Sequence, residues 1–171
     1  MGTGRQESGL HARSVTIVRR APAPAGRLNL AAMQHLTGFL IAMVDAPARR
    51  VFQRTIGKPY ELREVEFTLL VLLQANHGAA PKQLAQALNL PAPNVTVLLD
   101  RMVERGLVER RRSPSDGRAL EVHLTDKGQA LALRVHEVSM TMEDSLLQPL
   151  SPAERAMLRE LLIKLGRAAT D

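Results

Sequence analysis

The stretch from Pro81 to Asp126 leaves a folding chain few options. A short helical run, Pro81 to Leu88, meets Asn89-Leu90-Pro91-Ala92-Pro93, too proline-rich to continue a helix. A second helical run extends from about Ala92 to Arg105 and stops at Gly106. Its apolar residues Val95, Leu98, Leu99 and Met102 share one face and predict inward packing. Asn94, Thr96, Val97 and Arg101 are left outward, with Ala92 and Pro93 at the N-terminal end. A strand from Leu107 to Arg112, a turn over Ser113 to Gly117 and a returning strand from Arg118 to Leu124 follow. Two helices joined by a tight turn and followed by a basic hairpin make a winged helix-turn-helix. That device sets its second helix in the major groove of DNA.

Asn and Thr on the first turns of such a helix are suited to base edges, although the same face serves as plain solvated surface elsewhere. Lys82 and Gln83, at the start of the first helix, fall where phosphates would be gripped. In the hairpin, Arg110, Arg111 and Arg112 are consecutive, and Ser115, Asp116 and Arg118 form the tip. An arginine at that tip gains from the negative potential of a narrow minor groove, and Asp116 is placed to aim it.

The rest of the chain is consistent with such a role. Lys and Arg number 23 against 17 Asp and Glu, a net charge of +6 that favours polyanionic partners. Aromatics are 2% of residues, too few for the stacking platforms of single-stranded nucleic-acid binders. Cysteine is absent, which excludes disulfides, thiol redox sensing and cysteine metal sites. No two of His11, His35, His77, His123 and His136 have the spacing of a helical ligand pair, so neither metal nor cofactor is expected. No nucleophile elbow, zinc-protease helix or phosphate loop occurs, and the chain does not read as an enzyme. With no apolar run of membrane-spanning length and no signal-peptide core, a cytoplasmic protein is expected.

Four regions are expected. Residues 1–27 carry Arg5, Arg13, Arg19, Arg20 and Arg27 against Glu7 and read as a basic, disordered arm: a phosphate-gripping tail, or a mere extension. Residues 28–60 read as a long dimerisation helix and a loop, interrupted at Asp45-Ala46-Pro47, with Asp45 as a new N-cap. Residues 61–124 form the winged lobe, opened by a densely apolar helix from Arg63 to Gln74. Residues 125–171 are helical. Thr125 caps a stripe of Leu131, Val135, Val138, Met142 and Leu146 that Pro149 ends. Ser151-Pro152-Ala153-Glu154 is a capping box for a last helix that ends at Gly166. The fold class is therefore mainly α with a small β-wing. A winged lobe is joined to a helical dimerisation lobe built from the N- and C-terminal helices.

This layout resembles the MarR family of bacterial transcriptional regulators from about Leu30 to Arg167. Its most specific phrase is Ser115-Asp116-Gly117-Arg118-Ala119 followed by Val122 to Gly128, similar to the family's wing pattern D-x-R and strand ending L-T-x-x-G. Leu62 to Leu70 looks like the family's second helix, and Asp100 to Val108 like the end of its recognition helix. The resemblance implies a homodimer, a palindromic operator in double-stranded DNA, repression, and a crevice for a phenolic or aromatic carboxylate effector. Candidate crevice residues are His35, Phe39, Met43, Tyr60 and Arg63, although Phe39 and Met43 equally suit a core and Arg63 a structural ion pair. Departures are Ala80 where the first helix usually has a hydroxyl cap, Val97 where a polar residue is common, and Pro47. An activating or architectural DNA-binder with no effector is the alternative reading.

Overall fold

The computed structural model describes residues 28–112 and 120–168, so the N-terminal arm and the hairpin tip, including Ser115, Asp116 and Arg118, lie outside the described residues. The chain separates into two units, Met1–Leu40 and Ile41–Asp171. In the first, a 3-10 turn over Ala31–Met33 is started by the Asn29 side chain, which accepts from the Ala31 N–H at 3.0 Å. Helix α1 (Thr37–Phe52) begins after it, later than the periodicity from Leu28 suggests.

Pro47 sits inside α1 without a restart at Asp45. A proline removes one backbone bond and costs about 3 kcal/mol in a helix interior. Here the helix continues because Val51 and Phe52, one turn further on, are anchored in the core. Asp45 is not a cap; its carboxylate accepts from Arg49 Nε at 2.8 Å across one helical turn. A π-helical turn, Gln53–Gly57, then leads into a short connection.

Helix α2 (Glu64–Asn76) is the centre of the second unit, with Leu69, Leu70 and Leu73 all buried. It ends where His77 takes φ 54° and Gly78 φ 118°. Gly78 is required twice over, because a Cβ there would lie 2.4 Å from the His123 ring. Helices α3 (Pro81–Ala87) and α4 (Ala92–Glu104) follow, then strands β1 (Val108–Arg112) and β2 (Leu120–Leu124). The strands pair antiparallel with Val108 opposite Leu124 and Arg112 opposite Leu120. Ala79 and Val122 exchange two backbone hydrogen bonds (3.1 and 2.8 Å), so the segment between α2 and α3 is pinned to the hairpin, a contact that no local pattern signals.

Helix α5 (Asp126–Ser139) is capped by Thr125, whose hydroxyl accepts from the Gly128 N–H at 3.0 Å and donates to the Gly106 carbonyl at 2.7 Å. The expected single helix to Pro149 is instead interrupted. Ser139 turns its hydroxyl onto the His136 carbonyl (2.6 Å), a turn follows, and a short α6 (Asp144–Leu147) resumes. Helix α7 (Pro152–Ala168) starts at the expected capping box but runs through Gly166. None of its residues is buried. The core of the unit gathers α2, α3, α4, the hairpin and α5 around Leu69, Leu99, Met102, Val122 and Val135. No helix among the described residues is long and apolar enough to cross a membrane.

Candidate nucleic-acid interface

The turn between α3 and α4 is made by Asn89 in the left-handed region (φ 50°) and closed by the Leu90 N–H donating to Ala85 at 3.0 Å. Pro91 precedes α4 in extended geometry and its carbonyl accepts from the Asn94 N–H at 2.9 Å. Ala80 supplies no side-chain cap to α3, as its sequence implies. The Gln83 side chain instead accepts from the Ala80 N–H at 2.8 Å, which ties Gln83 to the helix start. Lys82 is exposed beside it.

Helix α4 divides as its periodicity predicts. Val95, Leu98, Leu99 and Met102 are buried, while Ala92, Pro93, Asn94, Thr96 and Val97 are exposed. Thr96 donates its hydroxyl to the Ala92 carbonyl (3.2 Å) and keeps its lone pairs outward. Asn94 has no side-chain partner among the described residues, so its donor and acceptor are both available. Val97 is 69% exposed, an apolar methyl pair on an otherwise polar face. Such a group suits contact with a thymine methyl.

Arg101 is placed differently from the outward face expected of it. Its Nε stands 3.1 Å from Oε1 of Glu66 on α2, a carboxylate with no exposed surface. That oxygen has no aligned hydrogen bond, so the contact is one of charge. The other oxygen, Oε2, accepts from the Arg63 N–H (2.8 Å) and from Arg105 (3.3 Å). One buried carboxylate thus caps α2 and holds Arg101 of α4 and Arg105, the residue that ends it. Sequence reasoning missed Glu66, although a lone acid among Val65, Phe67, Leu69 and Leu70, with two arginines four residues apart on a later helix, was the available signal.

On the hairpin, Arg110 donates to Asp100 at 2.7 Å and Arg111 pairs with Glu109. The Arg112 side chain has no partner among the described residues. The exposed face of α4 and the edge of β1 are thereby joined through Asp100, a residue the sequence reading passed over.

The proposed crevice residues are spread over both units. His35 is exposed and Phe39 half-buried in the first unit. In the second, Met43 and Arg63 are exposed, and Tyr60 lies beside Arg134, where hydrogen bonding and charge hold the guanidinium above its ordinary pKa. Met43, Tyr60 and Arg63 do not line the cavity of 220 Å³ that does open at the N-terminal turns of α2, against Phe52 and Phe67.

The sequence model of the MarR family matches residues 61–119. The chain is 32% identical to the HTH-type transcriptional regulator PecS of Dickeya dadantii over 123 residues, 70% of this chain and 71% of PecS. Among solved structures, the transcriptional repressor CouR bound to a 23-mer DNA duplex superposes with a TM-score of 0.74 at 31% identity, covering 82% of this chain and 99% of CouR. A mutant MarR from E. coli complexed with operator DNA gives a TM-score of 0.70 at 28% identity, covering 81% and 99%.

Proposed function

The chain belongs to the MarR family of DNA-binding transcriptional regulators, which are not enzymes, and from that premise we propose that it acts as a homodimeric repressor of a palindromic operator, released by a small aromatic effector. The observation that carries this reading is the division of α4, buried to its last inward apolar residue while Asn94, Thr96 and Val97 stay in solvent. In a dimer, two such helices enter successive major grooves about 34 Å apart. Lys82 and the hairpin arginines hold phosphates, and Arg118 reaches the flanking minor groove.

Pairing of subunits is supported by α7, which leaves Met157, Leu158, Leu161, Leu162 and Leu165 exposed along 17 residues. A helix of that composition gains nothing from water and is covered in a symmetric pair. Repression is supported by CouR, a repressor related over most of this chain. The sequence reading leaves the effector as phenolic or carboxylate. Release needs only that the ligand bind better to the conformation whose two α4 helices are wrongly spaced.

Gel shift of the DNA upstream of the protein's own gene, with sedimentation of the free protein, tests this. Binding of a dimer to one palindrome is expected, with release by an aromatic compound. A monomer, or indifference to every palindrome there, removes the reading. Binding that no ligand disturbs leaves the activating or architectural alternative.

A further inference from the structure

The cavity at the start of α2 has an apolar floor and an acidic rim. Phe52 and Phe67 meet edge to face with ring centroids 5.7 Å apart, and Met142 closes the floor from the turn after α5. Asp45, Glu64 and Glu143 stand around it against one guanidinium, Arg49. Arg49 is already held by two of the three acids, at 2.8 Å from Asp45 and 3.1 Å from Glu64. Among the described residues lining the cavity, no unpaired cation is therefore left to meet an anion. The Glu143 carbonyl accepts from the Leu147 N–H at 2.9 Å, but its carboxylate has no hydrogen-bond or ion-pair partner among the described residues.

We propose that this cavity binds a small aromatic amine in its cationic form, with the ring on Phe52 and Phe67 and the ammonium at Glu143. The inference rests on the effector reading above and replaces the acid in it by a base. The floor and the rim select different parts of the ligand. Phe52 and Phe67 take its ring, and the excess of carboxylates favours a cation and repels an acid. The volume of 220 Å³ lies below the roughly 300 Å³ at which sites for drug-sized ligands begin, so one ring with a short side chain fits and a fused polycycle does not. The site also adjoins the grip on α4. Glu64 and Phe67 line the cavity, and Glu66 between them holds Arg101 and Arg105. A ligand seated against Phe67 acts on the same helical turn.

Calorimetric titration of the full chain with phenethylamine and with hydrocinnamate, matched in size and opposite in charge, tests the proposal. The amine is expected to bind at least about tenfold more tightly, and Glu143→Gln to remove about tenfold of its affinity, the worth of one charge-assisted contact. Added salt should weaken the amine. Equal or tighter binding of the acid, an amine affinity indifferent to Glu143→Gln, or no binding of either overturns it. A parallel gel shift separates the two readings. Amine that binds here without releasing DNA supports the site and removes its effector role. Acid that releases DNA while the amine fails to bind removes this site and leaves the effector reading standing.

Discussion

Glu66 on α2 and Arg101 on α4 are joined at 3.1 Å, with the glutamate side chain fully buried and the arginine side chain 40% exposed. The pair fixes where the recognition helix lies against the centre of the lobe, since Arg105 one turn on shares the same carboxylate. A buried acid in a core is weak as a source of stability but costly to disrupt from one side.

Removing the acid should therefore be felt in both folding and DNA binding. Glu66→Ala is expected to lose about 3 kcal/mol, the low end for breaking a buried pair, because Arg101 can turn back to water. Glu66→Gln keeps an acceptor for the Arg63 N–H and should lose about 1–2 kcal/mol. Both should weaken operator binding although Glu66 touches no DNA. Urea denaturation with gel shift checks this. A loss under about 1 kcal/mol for the alanine variant would show that packing alone seats α4.

Two glycines should respond in opposite ways. A Cβ on Gly128 would lie 1.9 Å from the Leu107 carbonyl oxygen, backbone that cannot step aside. The glycine of the L-T-x-x-G phrase is thus where the start of α5 crosses the entry to β1. Gly128→Ala is expected to cost about 3 kcal/mol or more, the upper end of overpacking. A Cβ added at Gly166 would meet nothing within 4 Å, and α7 passes through the position. Gly166→Ala should stabilise by about 0.5–1 kcal/mol. Thermal unfolding of the two variants would sink the account if both moved the same way.

The contrast shows what the sequence displays and what it hides. The two faces of α4 follow from a 3.6-residue period, and the caps at Thr125 and Ser151 from side chains three residues from their partners. These were legible because the interactions are local. Glu66 and Arg101 are 35 residues apart in number and meet only when α2 and α4 pack, so nothing in either segment announces the pair. Pro47 misled for a related reason. A local rule predicted a break, and the burial of Val51 and Phe52 overrode it. The stripe through Met142 kept its spacing across a real interruption, because apolar residues on a turn can face the same core as those on a helix. The cavity at Phe52 and Phe67 is not displayed in the sequence, because it depends on three segments converging.

The capping box at α7 makes a prediction in pH. The Ser151 N–H donates to Glu154 at 2.8 Å and the Ser151 hydroxyl at 2.7 Å. The backbone bond first, and the hydroxyl second, hold the Glu154 carboxyl below its ordinary value of 4.5. Because the folded value is the depressed one, this stabilisation is complete above the ordinary carboxylate range and is lost as pH falls through the folded value. NMR titration of Glu154 should place its midpoint below the ordinary glutamate value, and Ser151→Ala should raise it. A midpoint unmoved by Ser151→Ala would mean that the box is not formed in solution.

The three arginines of β1 should not contribute equally to DNA affinity. Arg110 is paired with Asp100 and Arg111 with Glu109, whereas the Arg112 side chain has no partner among the described residues. A phosphate contact releases about 0.9 of a counterion, so Arg112→Ala should reduce the salt slope of binding by about that much on any sequence. Arg111→Ala should reduce it less, since a charge already matched by Glu109 displaces fewer counterions. Arg118→Ala should instead weaken binding by about 1–3 kcal/mol, most strongly where A·T pairs flank the half-sites, because a minor-groove contact depends on groove width. Affinities measured across a salt series on operator and unrelated duplexes separate the two behaviours. Equal slopes for Arg111→Ala and Arg112→Ala would mean that the Glu109 pair opens on DNA. The hairpin would then grip phosphates with its whole first strand.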